Sequence, residues 1–509
     1  MVIVDPLANS SASDRAGVVG AGASIRDDDI HLCQSSSADP SSIGAPSSSS
    51  DAHALSYRSL AVAKSLDPGS ASFFSAFNNL ANTILGAGML GLPHAFAEAG
   101  FIPGTVMLLA FGGFASLGLH LLSEAADWAG RPSSFYSVAH AAQPGSGAFI
   151  DLAIGIKCFG VATSYLIVVG DSMPKALEAV GMSGALLHRR LWTVIATVVV
   201  APLTYCERVD ALKYTSGVAL GCVLFVVLLV VLFATRAAPI FESCDPSPPN
   251  LPPYLPPLPP ISPPNPPSMP PLPPSAPPCR LPAVAAAPLT DVLHAVPIFV
   301  FSYTCHQNII SITNELRRPT SSRVSRVIGA SVLFALAIYL LISIAGYATF
   351  GPVVHSDILE TYPASVLVAV ARVAISIVVT FSYPLQSHPS RGCVLSLIQL
   401  ARSRWRGHTE PVHVSTSQPL FYGVSTCFLL ASAAIALSID NLGVVLSFVG
   451  ATGSTIVSYI LPGACYFLLR KDAGWKRYLG LLQLGLGCVL MPLSLTLIIM
   501  RLQQQDHRQ

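Results

Sequence analysis

One stretch limits what this chain can become more than any other: Ser72 to Phe96, SFFSAFNNLANTILGAGMLGLPHAF. It is apolar enough to cross a bilayer. Yet it carries Asn78, Asn79 and Asn82, then the run Gly86-Ala87-Gly88, then Pro93. Lipid offers backbone amides no partner, so a weakened helix is tolerated only where it lines a cavity inside protein. Glycine costs helix stability and lets a ligand approach the backbone closely. The stretch therefore reads as a transmembrane helix broken near Gly86 to Gly88, with freed N–H and C=O groups facing a site at mid-membrane. The plainer alternative is a glycine-rich face packed on neighbouring helices.

The rest of the chain supplies a bundle to hold such a helix. Of 509 residues, 52% are hydrophobic and 11% charged, with a mean hydropathy of +0.60. That is the composition of a multi-pass membrane protein. The formal net charge of +2 and the lack of any basic run with interleaved aromatics argue against a nucleic-acid partner. The 11 cysteines form no CxxC pair, so no metal cluster is expected. No nucleophile–base constellation or phosphate loop appears, and an enzyme is not expected. The first 70 residues lack the long apolar core of a cleavable leader.

Residues 1–71 are rich in Ser, Ala, Asp and Gly and read as a disordered cytosolic tail. Residues 72–500 form one membrane domain, and 501–509 a short C-terminal tail. Eleven apolar segments reach membrane-spanning length, at about 72–97, 101–124, 148–172, 190–206, 213–235, 289–316, 325–350, 363–388, 419–439, 442–469 and 478–500. Between the fifth and sixth, residues 236–288 make a loop that proline dominates from Pro246 on. Such a run has few backbone donors and favours extended polyproline II outside the membrane.

Lysine and arginine orient the segments. The loops after the sixth, eighth and tenth hold Arg317, Arg318, Arg323 and Arg326, then Arg391, Arg402, Arg404 and Arg406, then Arg470, Lys471, Lys476 and Arg477. The loops after the seventh and ninth hold none. This places the N-terminus in the cytosol and the C-terminus outside, with Lys175, Arg189 and Arg190 after the third segment weakly opposed. The sixth segment repeats the oddity of the first: Phe299 to Asn308 turns from apolar to polar in mid-span. Matched interruptions in corresponding segments of two halves point to an inverted-repeat transporter with a midplane site.

The residues also carry a resemblance. Asn79 to Pro93, NLANTILGAGMLGLP, resembles the first-helix signature of the amino acid/auxin permease family. It is similar above all to the sodium-coupled neutral amino acid transporters and the vacuolar amino acid transporters. Cys158 to Pro174, Pro202 to Tyr214, and Thr304 to Asn308 with Asn314-Glu-Leu316 following fit the same family. The resemblance covers about residues 72 to 500, but not the tail or the proline-rich insert. It implies an all-α membrane fold like that of the bacterial leucine transporter, a five-plus-five inverted repeat with one helix added. The implied activity is movement of small neutral amino acids by alternating access, coupled to sodium or to protons, at a plasma membrane or a vacuolar or lysosomal membrane. An amino acid sensor signalling through the cytosolic tail is the reading from another class. No cofactor is expected beyond the coupling ion, and the partners are substrate, ion and bilayer.

A zwitterionic substrate needs donors for its carboxylate and acceptors for its ammonium. Half-helix ends present both. Main-chain groups of Gly86, Ala87 and Gly88 suit the first role, and Ser302, Tyr303, Thr304 and Cys305 the second. Asn82 lies about one turn before Gly86, and its amide oxygen is the hard ligand sodium prefers. In the resembling transporters an Asn here and a Thr in the eighth helix are tied to sodium; the matches are Asn82 and Thr380. Thr380 could instead bond its own helix carbonyl. Two charges, Lys157 and Arg372, fall inside spans, where they are costly unless they face the bundle or a wet path. Arg372 reads either as part of an inner gate or as a snorkelling group; Lys157 has no partner legible in the sequence. His306 reads as a proton carrier or as a satisfied donor beside the break. Cys244 and Cys279 flank the proline-rich loop on the expected non-cytosolic side, and the resembling sodium-coupled transporters carry a disulfide in this loop, so a bond between them is expected.

Overall fold

The structure is a computed structural model of the protein and describes residues 69–205, 213–236, 284–363, 365–406, 417–439, 442–472 and 474–506. The expected tail up to residue 68, most of the proline-rich loop with Cys244 and Cys279, and the last three residues lie outside the described residues.

Among the described residues the chain is nearly all helical. The first segment is split, as its glycines predict. Helix α1 (Phe73–Ile84) starts where the Ser72 hydroxyl accepts the Ser75 N–H at 3.1 Å, and stops at Leu85. Helix α2 (Gly88–Ala99) resumes after Ala87 and tolerates Pro93 in its second turn. There follow α3 (Phe101–Ala129), α4 (Phe135–Ala142), α5 (Gly147–Glu178), α6 (Arg189–Thr204) and α7 (Lys213–Arg236). The sixth segment is split in the same way, into α8 (Leu289–Ser302) and α9 (His306–Glu315). Then come α10 (Ser321–Phe350), the one-turn α11 (Ile358–Thr361), α12 (Val366–Trp405), α13 (Gln418–Ser438), α14 (Leu442–Leu469) and α15 (Trp475–Asp506). Helix α14 carries π-helical turns at Gly450–Ser454 and Ile456–Ile460. Eight of these helices are long and apolar enough to cross a membrane: α3, α5, α7, α10, α12, α13, α14 and α15. Of the other three expected segments, two are the split pairs and the third is the 16-residue α6.

The split helices pack crosswise, α2 on α8 and α1 on α9, with α10 along α1 and α2. Helix α12 lies along α5, bringing the middles of the third and eighth segments together. Ahead of α1, Ala71 pairs with the end of α9: its N–H donates to the Glu315 carbonyl at 2.9 Å, and its carbonyl accepts the Arg317 N–H at 2.9 Å.

Arg372 does not take the snorkelling setting. Its guanidinium donates to the carbonyls of Lys175 (3.2 Å), Leu359 (2.9 Å) and Tyr362 (3.3 Å). It is buried, so it does not snorkel, and it sits beside the 351–365 connection, at the other end of α12 from the arginine-rich loop. It therefore ties α11 and the end of α5 to the start of α12. Lys175 adds an ion pair to Glu360 at 2.5 Å, and Arg189 one to Asp171 at 2.5 Å.

In the same connection Asp357 caps α11, accepting the Leu359 N–H at 2.9 Å. Burial, with the neighbouring Glu360 carboxylate second, pushes its carboxyl up to about 7 from an ordinary 3.8. The folded protein thus holds this proton to higher pH than the unfolded chain does. The ionised form is the one folding disfavours, so stability falls as pH rises from about 4 through about 7 and levels off above. Asp357→Asn keeps the capping oxygen and removes the ionisation. Thermal melts of the purified protein should show wild type losing more stability than Asp357→Asn between pH 5 and 7; parallel melts across that range would show that Asp357 stays ionised.

Candidate functional site

The two breaks meet each other. The last carbonyls of the first halves, Ile84 O and Ser302 O, converge on the Tyr339 hydroxyl of α10, at 2.6 and 2.7 Å. The Ser302 hydroxyl bonds its own helix at Ile298 O (2.8 Å) and lies 3.2 Å from the Gly88 carbonyl. This crossing needs glycine. A Cβ on Gly88 would lie 2.8 Å from Ser302 Cα, and one on Gly86 would lie 2.5 Å from the Tyr165 hydroxyl oxygen. The second halves begin at Ala87 and Cys305, and neither N-terminus carries a side-chain cap. Such an end presents N–H groups and partial positive charge. One more bond crosses the breaks: Asn308 Nδ2 donates to the Thr83 hydroxyl at 3.0 Å.

A small enclosed cavity lies at this junction. It is about 10 Å³ and is lined by Gly86, Ala87, Gly88, Thr304, Lys157 and Gln386, with Thr83 and Tyr165 among its other walls. That volume holds about one water. Around the second break, Tyr303 Oη, Gln307 Oε1 and Asn308 Oδ1 are buried with no partner in the protein. Buried polar atoms of this kind are ordinarily satisfied by ligand or water. Lys157 has a partner after all. Its ammonium donates to Gln386 Oε1 at 3.4 Å, and Gln307 Nε2 donates to the same oxygen at 3.2 Å.

The expected substrate residues are therefore only partly gathered. Gly86, Ala87, Gly88 and Thr304 line the cavity. Ser302 stands at the crossing beside it. The Tyr303 ring packs edge-on against Tyr339, with centroids 5.2 Å apart, and Cys305 is buried. His306 is buried against Gly118 of α3 and is not part of the cavity wall.

No hydrogen bond joins the two expected ion residues, Asn82 and Thr380, among the described residues. Asn82 Oδ1 accepts the Ser382 hydroxyl of α12 at 3.1 Å, and Asn82 Nδ2 reaches Ser216 of α7 at 3.4 Å. Thr380 donates to the Ser376 carbonyl of its own helix at 2.6 Å. Asn82 thus meets α12 two residues beyond Thr380.

Sequence reasoning did not assign Tyr339, Gln386 or Ser382. Gln386 carried a usable signal, a lone amide in an apolar run. Tyr339 did not, because tyrosine is common in spans and nothing nearby distinguishes it.

Comparison with known proteins agrees with this geometry. The family described as transmembrane amino acid transporter protein matches residues 69–239 and 281–500. Vacuolar amino acid transporter 5 of Schizosaccharomyces pombe is 34% identical over 404 residues, covering 78% of this chain and 85% of that protein. Vacuolar amino acid transporter 6 of Saccharomyces cerevisiae is 32% identical over 473 residues, covering 84% and 98%. The sodium-coupled neutral amino acid symporter 2 of Danio rerio is 27% identical over 455 residues, covering 85% and 83%. Among solved structures, the nucleobase-cation-symport-1 family transporter MHP1 in a closed conformation superposes with a TM-score of 0.51 at 12% identity, over 85% of this chain and 91% of that one. That likeness concerns the fold, which is of the leucine-transporter type that the resemblance implies. With the family match spanning both halves of the membrane domain and both breaks, the chain belongs to the transmembrane amino acid transporter protein family.

Proposed function

We propose that this amino acid transporter moves small neutral amino acids by alternating access, with the substrate at the junction of the two breaks and a cation gradient as the drive. The observation that carries the site is the meeting of the two breaks, where Ile84 O and Ser302 O share the Tyr339 hydroxyl, beside a buried cavity lined by Gly86, Ala87, Gly88 and Thr304. Carbonyl ends attract the substrate ammonium, and helix N-termini attract its carboxylate. Helices α1, α2, α3, α8, α9 and α10 form the part that rocks against the rest.

Sodium is the first candidate for the coupling ion. The support is the oxygen pair of Asn82 and Ser382, one turn from the break. The second reading is proton coupling at a vacuolar membrane. It is favoured by the ammonium of Lys157 in the cavity wall and by relatives that carry the vacuolar name.

Uptake of labelled alanine into proteoliposomes under imposed sodium or pH gradients tests both. Under the sodium reading, Asn82→Ala raises the sodium concentration for half-maximal uptake by about tenfold or more, because hydrogen-bonding and ligating groups facing a charge are each worth 1.5–3 kcal/mol. The alanine requirement changes less. Uptake indifferent to sodium and driven by an inward proton gradient selects the second reading. No gradient-driven uptake of any amino acid overturns both.

A further inference from the structure

Lys157 is a charged group to which the sodium-coupled reading gives no role. It is 1% exposed and is the one charged residue lining the cavity at the breaks. Its neighbours do not neutralise it. The bond to Gln386 is to a neutral amide, and at 3.4 Å it is long. Among the described residues no carboxylate forms an ion pair with it. The carboxylate next in sequence on the same helix, Asp151, lies six residues away, about 9 Å along the axis, and its bonding partners are Cys393 and Ser396 on α12. The other ionisable groups close by are Cys158, Cys305, His306 and Tyr165, and none is an acid of the carboxylate kind.

Helix packing leaves the lysine no route away from this position. A Cβ on Gly453 of α14 would lie 2.5 Å from Lys157 Cβ, so α14 clamps the base of the side chain. Gln386 is held in turn by Gln307 of α9, the half-helix that follows the second break. The ammonium is thus fixed in place in the cavity wall and linked through Gln386 to α9, an element expected to move.

A buried charge without a counter-ion is costly and is kept for what it does to its surroundings. We infer that Lys157 is a charge filter: its ammonium favours substrates that bring a carboxylate and no second cation, and rejects amino acids with cationic side chains. This rests on the proposal that substrate occupies the junction of the breaks. The ammonium adds to the partial positive charge of the two half-helix N-termini, so a zwitterion gains from it through its carboxylate. A side-chain ammonium brought within about 5 Å meets like charge in a protein interior and loses about 100-fold in affinity.

Lysine and norleucine separate the effect cleanly, since they differ by one terminal ammonium on the same chain length. The experiment measures how each inhibits uptake of labelled alanine by the full-length protein in liposomes at neutral pH. Wild type should favour norleucine over lysine by about 100-fold. Lys157→Arg should keep that ratio, and Lys157→Gln should reduce it at least tenfold. The ratio is taken within each variant, so expression level and overall rate cancel. Equal inhibition by lysine and norleucine in wild type overturns the inference even if neither variant transports, and so does a ratio unchanged in Lys157→Gln. If Lys157→Gln keeps the ratio but loses accumulation driven by a pH gradient, the residue carries protons instead, and the filter is wrong. In all of these outcomes alanine uptake by wild type still supports transport itself; its absence would strike the proposed function and not the filter alone.

Discussion

Gly88→Leu is expected to abolish amino acid uptake while the protein still inserts into the membrane. The reason is the approach of α2 to α8. Even a single Cβ at Gly88 would come within 2.8 Å of Ser302 Cα, and the atom it meets is backbone at the end of a half-helix. A leucine there must push the two breaks apart, and the carbonyl ends that share the Tyr339 hydroxyl would separate with them. Gly86 behaves differently on the same measure. A Cβ there meets the Tyr165 hydroxyl at 2.5 Å, the far end of a side chain that can swing. Gly86→Ala should therefore be milder than Gly88→Ala, whereas Gly86→Leu should also stop uptake by filling the cavity. Neither glycine has an unusual backbone angle, so the requirement is for space and not for conformational freedom. Uptake normalised to reconstituted protein measures the effect, with surface accessibility of a tag as the insertion control. Normal uptake by correctly inserted Gly88→Leu would falsify the assignment of the breaks as the substrate site.

Tyr339→Phe should have the second largest effect. One hydroxyl proton faces two buried carbonyls, at 2.6 and 2.7 Å. It can donate fully to only one of them at a time, yet its oxygen holds both half-helix ends in register. Removing the hydroxyl leaves both carbonyls without this donor. A buried acceptor left unsatisfied costs about 1–3 kcal/mol, while the phenyl ring retains the packing against Tyr303. The thermal midpoint should fall by several degrees, and uptake by about tenfold, the rate equivalent of about 1.4 kcal/mol. Both readouts matter. A loss of stability with full transport would make Tyr339 a structural strut only, and no change in either would mean that water takes its place at both carbonyls.

Much of this site was legible because it uses composition that lipid does not allow. Glycines and asparagines inside an apolar run have few explanations at membrane depth, and so Gly86 to Gly88 and Phe299 to Asn308 pointed to the two breaks. What was not legible depends on rotation about helix axes. Thr380 and Ser382 are two residues apart, about 200° around the helix, and a hydroxyl at either place looks the same in the sequence. Only the packing of α12 against α1 and α5 decides that Ser382 faces Asn82. Lys157 was recognisable as a misfit but had no partner in the sequence, because its partner is an amide more than two hundred residues away. The partners of Arg372 were illegible for a related reason. A charge near the end of a span suggests a gate or a snorkelling group, and three backbone carbonyls as its partners leave no pattern in the sequence.

The cavity at the junction, about 10 Å³, has room for about one water. An amino acid is several times larger, so loading cannot be the filling of a preformed hole. The walls have to part, and protein interiors are packed densely enough that they part by moving whole helices and not by yielding locally. If substrate binds at the proposed site, it makes its own chamber: the bundle would swell to accept its cargo and shrink when the cargo has gone.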